Sequence, residues 1–486
     1  MKKSIKYLFS LCLLSLLSVG CEDVLDVVPP GEFSPGNVLN NEAGLTSLLF
    51  SAYRFQNLQT GHKNLINMEE VTTDMAFNTG GGENRTLSLF INFTWDPSVG
   101  WIQGSMWNPH YNAIRDANII LENIETADIQ PATASLLTAE ARYIRASEYA
   151  FLYNWFGPVP LRTSTSQEES LPRAREDELL GFIESELEAI LADLPDPGQE
   201  PQWGRATKGH ALGILTKFYL NTKQWAKVVE TTQRILDLNY YELFPVFKDL
   251  FKVENEGNKE LLVAWPQIND PGSGNTYPNG AFPPNFSYSP LLPEYVWSTS
   301  MANWATQYRL RDDFVDSYAA EDQRLITIVQ EYVNRNGDMV NLRNNPNNSR
   351  SLKYFDPAAV ANFHGNDSPI VRFADILLSR AEALNELNGP SQEALDLINQ
   401  VRSRAGLPDL TLADAGSKEI LRDRILAERG WEFVSEGKRR EDLIRHGNFI
   451  ERAQNRGISA QPHHVLFPIP AAEINANPAV EQNPGY

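Results

Sequence analysis

Eight aromatic side chains fall within the 32 residues from Tyr277 to Tyr308, a share of 25% against 10% for the whole chain. Rings at that density, if open to solvent, suit one kind of chemistry. Their faces meet the C–H side of a sugar ring, while amide, carboxylate and guanidinium groups at the rim bind its hydroxyls. Trp297 and Trp304 are the foremost stacking candidates, followed by Tyr277, Tyr288 and Tyr308, each of which adds a phenolic hydroxyl. A second stretch, Asn78 to Trp107, carries Trp95 and Trp101 beside Gly80-Gly81-Gly82. Asp74, Asn78 and Arg85 in and beside this stretch, and Arg309 next to the first, supply candidate polar partners. Trp107, Trp155, Trp225 and Trp431 fall on helical faces and are assigned to the core.

Bond-breaking chemistry has no comparable signature. Glu69-Glu70 and Asp312-Asp313 are neighbouring carboxylates, but adjacency does not set two carboxyl groups across a glycosidic bond. They read as solvated charge or helix-end caps. His463-His464 lacks metal-ligand spacing, and Gly80-Gly81-Gly82-Glu83 lacks the Lys and helix start of a phosphate loop. There is no Gly-x-Ser-x-Gly elbow. The pattern predicts a binding protein with no catalytic residue, metal or cofactor.

The amino terminus predicts where such a protein works. Lys2, Lys3 and Lys6 precede a short apolar run from Tyr7 to Val19, and Ser18-Val19-Gly20 leads to Cys21. This is the form of a secretory signal (residues 1–20) whose removal leaves a cysteine first in the chain, the acceptor for lipid in bacterial lipoproteins. A run of 13 residues is short of the roughly 20 needed to span a bilayer. Membrane attachment is therefore expected through acyl chains on Cys21. The other cysteine, Cys12, lies in the signal, so no internal disulfide is available. The formal charge of −20 becomes −23 without the three signal lysines, at 39 basic against 62 acidic residues. That balance argues against nucleic acid and polyanions as partners and fits neutral ligands.

Three kinds of segment must position the aromatics. Residues 21–44, rich in Pro, Gly and acidic side chains, read as a lipid tether and extended lead. Residues 45–486 read as a single domain. Helical periodicity runs through Ile114–Ile124, Tyr143–Tyr153 and Leu179–Leu194, the last stopped by Pro195. Two helix pairs follow, Ala211–Tyr219 with Trp225–Leu236, and Phe373–Leu384 with Leu395–Ala405, and a last helix is expected over Ser417–Ser435. Pairs of this length with a tight turn resemble tetratricopeptide units, which bury their faces only by stacking. The fold class expected is all-α. Between the pairs, residues 253–366 break the regime, with seven prolines from Pro266 to Pro293. Disordered linkers are poor in aromatics, so this insertion reads as an ordered irregular surface on a helical scaffold.

With these features together, the chain resembles the SusD/RagB family of surface glycan-binding lipoproteins of Bacteroidetes outer membranes. The resemblance rests on Cys21-Glu22-Asp23-Val24-Leu25-Asp26, on Trp107-Asn108-Pro109-His110-Tyr111-Asn112, and on Ala139-Glu140-Ala141-Arg142 running to Phe156-Gly157-Pro158. It rests further on Arg205-Ala206-Thr207-Lys208-Gly209, Arg372-Phe373-Ala374-Asp375, Val401-Arg402-Ser403-Arg404-Ala405-Gly406, Glu428-Arg429-Gly430-Trp431-Glu432-Phe433 and the closing Gln482-Asn483-Pro484-Gly485-Tyr486. Each motif is weak alone; their number and order are specific. The resemblance implies tetratricopeptide-like helix pairs, a glycan site on the irregular face, and docking as a lid on a SusC-like TonB-dependent transporter. Arg and Glu positions in these motifs read as packing and buried ion pairs rather than ligand contacts. The function expected is capture of an oligosaccharide without cleavage, at affinities on the order of micromolar to millimolar. Capture of a peptide or another nutrient by the same fold, and glycoside hydrolysis, are the alternatives.

Overall fold

Helices carry most of the polypeptide, and their stacking sets the frame for everything irregular. The computed structural model describes residues 39–486, apart from positions 57, 58, 169 and 306 and the side chains of 59–62. The signal at 1–20, Cys21 and the tether as far as residue 38 lie outside the described residues. Helix α1 (Glu42–Gln56) starts inside the span expected to be tether. Its start is held by a parallel bridge between Asn41 and Asp128 and by the Asp128 N–H donating to Asn40 O.

The first layer comprises α1, α2 (Gln59–Val71), α3 (Asn84–Ile91), α4 (Asn108–Asn123), α5 (Pro131–Phe156) and α6 (Glu176–Ala189). α1 packs on α4, α4 on α5 and α5 on α6. Pro131 opens α5 where its missing N–H costs nothing, and Gly157 at φ 69 ends it 26 residues later. α3 and a π-helix at Ile102–Trp107 fall where the sequence predicted irregular chain. Leu87, Phe90 and Ile91 give α3 an apolar face, and no proline interrupts it. α6 stops short of the expected Leu194. Ile190 and Leu194 stay buried because the turn between them still directs both to the core.

Both predicted pairs form. α7 (Lys208–Asn221), opened by a Thr207–His210 capping box, packs on α8 (Trp225–Asp237). α9 (Phe373–Asn388), ended by Gly389 at φ 77, packs on α10 (Gln392–Arg404), which Ser391 caps. α8 packs on α9, so the two pairs stack although the insertion separates them in sequence, and α11 (Lys418–Glu432) closes on α9. This is a helical, tetratricopeptide-like architecture.

The insertion is bounded by two antiparallel strands, β2 (Leu261–Trp265) and β9 (Ser368–Arg372). Gly213 of α7 lies against them; a Cβ there would come within 3.3 Å of Val263 and 3.5 Å of Val371. Inside that frame the strands are short and the helices are single turns. β3 (Phe286–Tyr288), β6 (Glu331–Asn334) and β7 (Met339–Asn341) form one sheet, and β5 (Ile328–Val329) pairs with β8 (Arg350–Ser351). β1 (Ala76–Phe77), before α3, pairs with β4 (Arg309–Leu310) of the insertion.

A buried ion-pair lattice fastens insertion to scaffold. Arg324 of the insertion reaches Asp322 at 2.7 Å, Glu428 at 2.6 Å and Glu432 at 3.2 Å, all fully or nearly fully buried. Lys353 pairs with Glu436 at 2.7 Å. Arg372 pairs with Glu260, with Glu432 at 2.9 Å and with Glu436 at 2.8 Å, and Arg404 bridges Glu260 and Glu432. Burial alone would raise the Glu432 carboxyl, but Arg404, Arg372 and Arg324 outweigh it and hold it well below the usual range. The Arg and Glu motif positions are thus ion-paired, as the sequence reading expected.

Glu69 and Glu70 contradict their expected role as solvated or capping charge: both are buried. Burial pushes Glu69 up to about 7, against a partial counter-pull from Arg440. Burial pushes Glu70 up to about 8, against a hydrogen bond from the Gly437 N–H at 3.0 Å. Asp312 does start a short helix, Asp312–Val315, and pairs with Arg343 at 2.7 Å.

Two outcomes are expected. Arg372→Ala takes away one cation from each of three buried carboxylates, Glu260, Glu432 and Glu436, which leaves Glu436 with Lys353 alone and Glu260 with Arg404 alone. It should cost about 3–5 kcal/mol in denaturant unfolding, and a loss below about 1 kcal/mol would contradict the lattice. Because Glu69 and Glu70 titrate higher folded than unfolded, their contribution is complete at low pH and drains as pH rises through 7 and 8. Glu70→Gln keeps an acceptor for Gly437, so it should flatten the fall of the urea midpoint between about pH 5 and 8.

Candidate functional site

The two aromatic stretches meet at one junction. β1 pairs with β4 so that Phe77 stands opposite Arg309. The Asn78 side chain donates to Gln307 O at 2.6 Å, and the Glu83 N–H donates to Gln307 Oε1 at 3.2 Å. Gly81, at φ +78, makes this possible: a Cβ there would lie 2.3 Å from Gln307 Cγ. On the other side the Tyr308 ring lies against Gly280, where a Cβ would fall 2.3 Å from it. The Trp304 N–H donates to Asn279 O at 2.8 Å and the Tyr308 N–H to Gly280 O at 2.9 Å. Backbone contacts, not long strands, therefore place Trp304 beside the N-terminal stretch.

Lys63, from α2, sits at the centre. Its ammonium lies 5.5 Å from the Trp101 ring centroid and 5.1 Å from that of Trp304, so one cation spans two indoles. It is ion-paired to Glu83, whose second carboxylate oxygen accepts from the Tyr308 hydroxyl. Trp304 Nε1 donates to Asn362 Oδ1 at 3.1 Å, which fixes the tilt of that indole. Trp101 and Trp304 are both half-buried. The arrangement is two half-buried indoles around a buried ammonium, with a half-buried carboxylate and amide beside them, groups of the kind that hold an uncharged polyol. Among the described residues, no cluster of three or more His, Cys, Asp or Glu is placed to hold a metal ion.

Several predicted contacts have other roles. Tyr277 is buried, stacked on Tyr308 at 5.1 Å and joined to Ser435 Oγ at 2.9 Å. Tyr308 is also buried and acts as the floor of the site by holding Glu83. Trp95 is core: its ring packs among Phe90, Phe93 and Phe467, and Nε1 donates to the Tyr486 hydroxyl at 2.8 Å. Asp74 is clamped by Arg439 at 2.9 Å and by Arg452; burial would raise its carboxyl, but these two guanidinium groups hold it well below the usual range. Asn78 is buried and serves as a clip between stretches. Composition marked these residues correctly as aromatic or polar, yet aromatic density does not say which side of a loop faces solvent.

The remaining candidates lie around the junction or apart from it. Arg85 is exposed in the first turn of α3, and Arg309 is half-buried in β4. Trp297 and Tyr288 are half-buried on the β3 side of the insertion. Arg335 stands 4.7 Å from the Trp297 ring centroid, and the Trp297 N–H donates to Ser287 O at 2.8 Å. Trp107 and Trp155 are buried, as expected, whereas Trp225 and Trp431 are half-buried at the edge of the core. Lys63, Gln307 and Asn362 were not singled out in the sequence, and Glu83 was named there only to set aside a phosphate loop. Only Glu83 carried a signal, its place after three glycines.

The SusD family model matches residues 300–486, and a model described as starch-binding, associating with the outer membrane, matches residues 23–220. The starch-binding protein SusD of Bacteroides thetaiotaomicron is 25% identical over 568 aligned residues, covering 100% of this chain and 99% of that protein. A solved SusD homologue from Bacteroides thetaiotaomicron superposes with a TM-score of 0.80 at 23% identity, covering 93% of this chain and 99% of that one. Surface glycan-binding protein A of Bacteroides thetaiotaomicron, solved in complex with laminarihexaose, superposes at 0.74 with 20% identity over 91% of this chain and 99% of that one.

The difference in burial between the indoles gives a stability test. Trp95→Ala should cost about 3–5 kcal/mol, and Trp304→Ala no more than about 1–2 kcal/mol, in urea unfolding. Equal costs would contradict the half-open placement of Trp304.

Proposed function

The chain belongs to the SusD/RagB family, and on that premise we propose that it captures an oligosaccharide at the cell surface without cleaving it, using the face built by Trp101 and Trp304. The observation that carries this reading is the pair of half-buried indoles, Trp101 and Trp304, whose ring centroids lie 5.5 and 5.1 Å from the Lys63 ammonium. A pyranose ring lying against an indole covers its apolar C–H face. Glu83, the more exposed partner of the ion pair, then offers an acceptor for its hydroxyls, held in place by the buried Lys63. The two indole centroids are no farther apart than the sum of their distances to Lys63, so adjacent sugars of one oligosaccharide can engage both.

The glycans named for the relatives, starch for the SusD protein and laminarihexaose for the surface glycan-binding protein, support a neutral glucan as the first ligand to test. The acidic balance of the chain favours uncharged ligands. Attachment to the outer membrane through lipid on Cys21, and delivery of the captured glycan to a SusC-like TonB-dependent transporter, complete the proposal. They are supported by the signal-like first 20 residues and by the family description as associating with the outer membrane.

Affinity electrophoresis through starch and laminarin gels, followed by calorimetry with the retained glycan, tests the reading. The dissociation constant expected is micromolar to millimolar, and Trp101→Ala with Trp304→Ala should weaken binding at least tenfold, about 1.4 kcal/mol. Unchanged affinity in the double variant would refute the assigned face, and retention of peptides but of no glycan would refute the ligand class.

A further inference from the structure

A pocket of about 320 Å³ opens where α1, the turn before α7 and strand β2 meet, and it shares no residue with the Trp101–Trp304 face. Phe50 and Tyr53 from α1 and Trp203 from the turn wall it with aromatic rings. Phe50 is 41% exposed and Trp203 is half-buried, so both present ring surface to the opening. The walls are preset. Trp203 Nε1 donates to Asp367 Oδ2 at 2.7 Å, and the Tyr53 hydroxyl donates to Glu140 at 2.7 Å. Gly204, at φ +87, lets the turn pass Pro266, where a Cβ would come within 2.2 Å of the proline ring.

His210 lines the same pocket and is 4% exposed. Nδ1 accepts from the Thr207 N–H at 3.3 Å and lies 3.0 Å from Thr207 Oγ1; with the hydroxyl also donating, the neutral ring carries its proton on Nε2. Burial pushes the ring down to about 4, so it is neutral at physiological pH. Nε2 is buried and has no hydrogen-bond partner. A donor in that state is a standing cost that a ligand acceptor oxygen removes. Arg54 and Gln202, both exposed, add donors at the mouth.

We infer that this pocket is a second saccharide site, in which a single sugar unit stacks on Trp203 and gives an oxygen to His210 Nε2. The ligand class rests on the glycan-capture reading above. The pocket volume lies at the low end for ligand sites, which suits one terminal unit or a free monosaccharide rather than the middle of a chain. The open Trp101–Trp304 face takes the chain; the pocket takes its end.

Saturation-transfer NMR on the full chain carrying Trp101→Ala and Trp304→Ala tests this, with millimolar glucose, galactose, mannose, glucuronate, maltose and laminaribiose as probes. At least one probe should receive saturation in this background and lose it when either Trp203→Ala or the exposed-rim pair Phe50→Ala with Arg54→Ala is added. A disaccharide that outcompetes its monosaccharide marks a chain end; the reverse marks a free sugar, and either supports the site. No transfer to any probe overturns the inference. So does transfer that the rim pair leaves unchanged, or a loss confined to Trp203→Ala. Loss of gel retention in the Trp101/Trp304 variant bears on the capture reading alone, because the pocket keeps its own signal.

Discussion

Charge buried in the protein interior is the constraint on which the rest depends. The insertion between the helix pairs carries seven prolines from Pro266 to Pro293, and its strands and helical turns are short, so backbone ladders cannot hold it. Its anchors are cations, Arg324 and Lys353, driven into a nest of carboxylates from α11 and the turn after it, Glu428, Glu432 and Glu436. Arg372 and Arg404, at the ends of β9 and α10, close the nest from the scaffold side through Glu260 and Glu432. Desolvating so many charges is expensive, and the attraction repays it only when every group is paired in good geometry. The lattice therefore tolerates one arrangement of insertion on scaffold, and that arrangement fixes where the aromatics stand.

From there, position is passed on by close approach. Gly81 admits the Gln307 side chain and Gly280 admits the Tyr308 ring, each at distances no Cβ permits. Gly81 lets the N-terminal stretch close on the insertion at Gln307, and Gly280 lets Tyr308 pack within the insertion. Tyr308 then holds Glu83, Glu83 holds Lys63, and Lys63 stands beside both Trp101 and Trp304. Preset side chains lose little freedom when a ligand arrives, which is how a site with few direct contacts can still bind usefully.

The helical frame was legible in the sequence because its signal is periodic and local: the C-terminal half of α5 and the cores of both helix pairs follow from apolar spacing, with Gly157 and Gly389 as stops and Ser391 as a fresh start, whereas the first turns of α5 and the Thr207–His210 cap of α7 carry no apolar period. The role of Arg372 and Glu432 in ion pairs was legible from residue type within helical motifs. Burial within the insertion was not, because it depends on contacts distant in sequence. Trp95 and Trp304 look alike in the chain, yet one packs on Phe90 and Phe467 while the other stands beside Lys63. Tyr277 and Tyr308 were expected at the surface and instead stack beneath it. Lys63 escaped notice because a lone lysine on a polar helix carries no pattern; only the fold brings two indoles to it.

The most direct measurement is a crystal structure of the chain with a bound glucan hexasaccharide. The account predicts sugar rings lying against Trp101 and Trp304, with a hydroxyl in hydrogen-bond distance of Glu83. A hexasaccharide bound elsewhere, with both indoles uncovered, would contradict it.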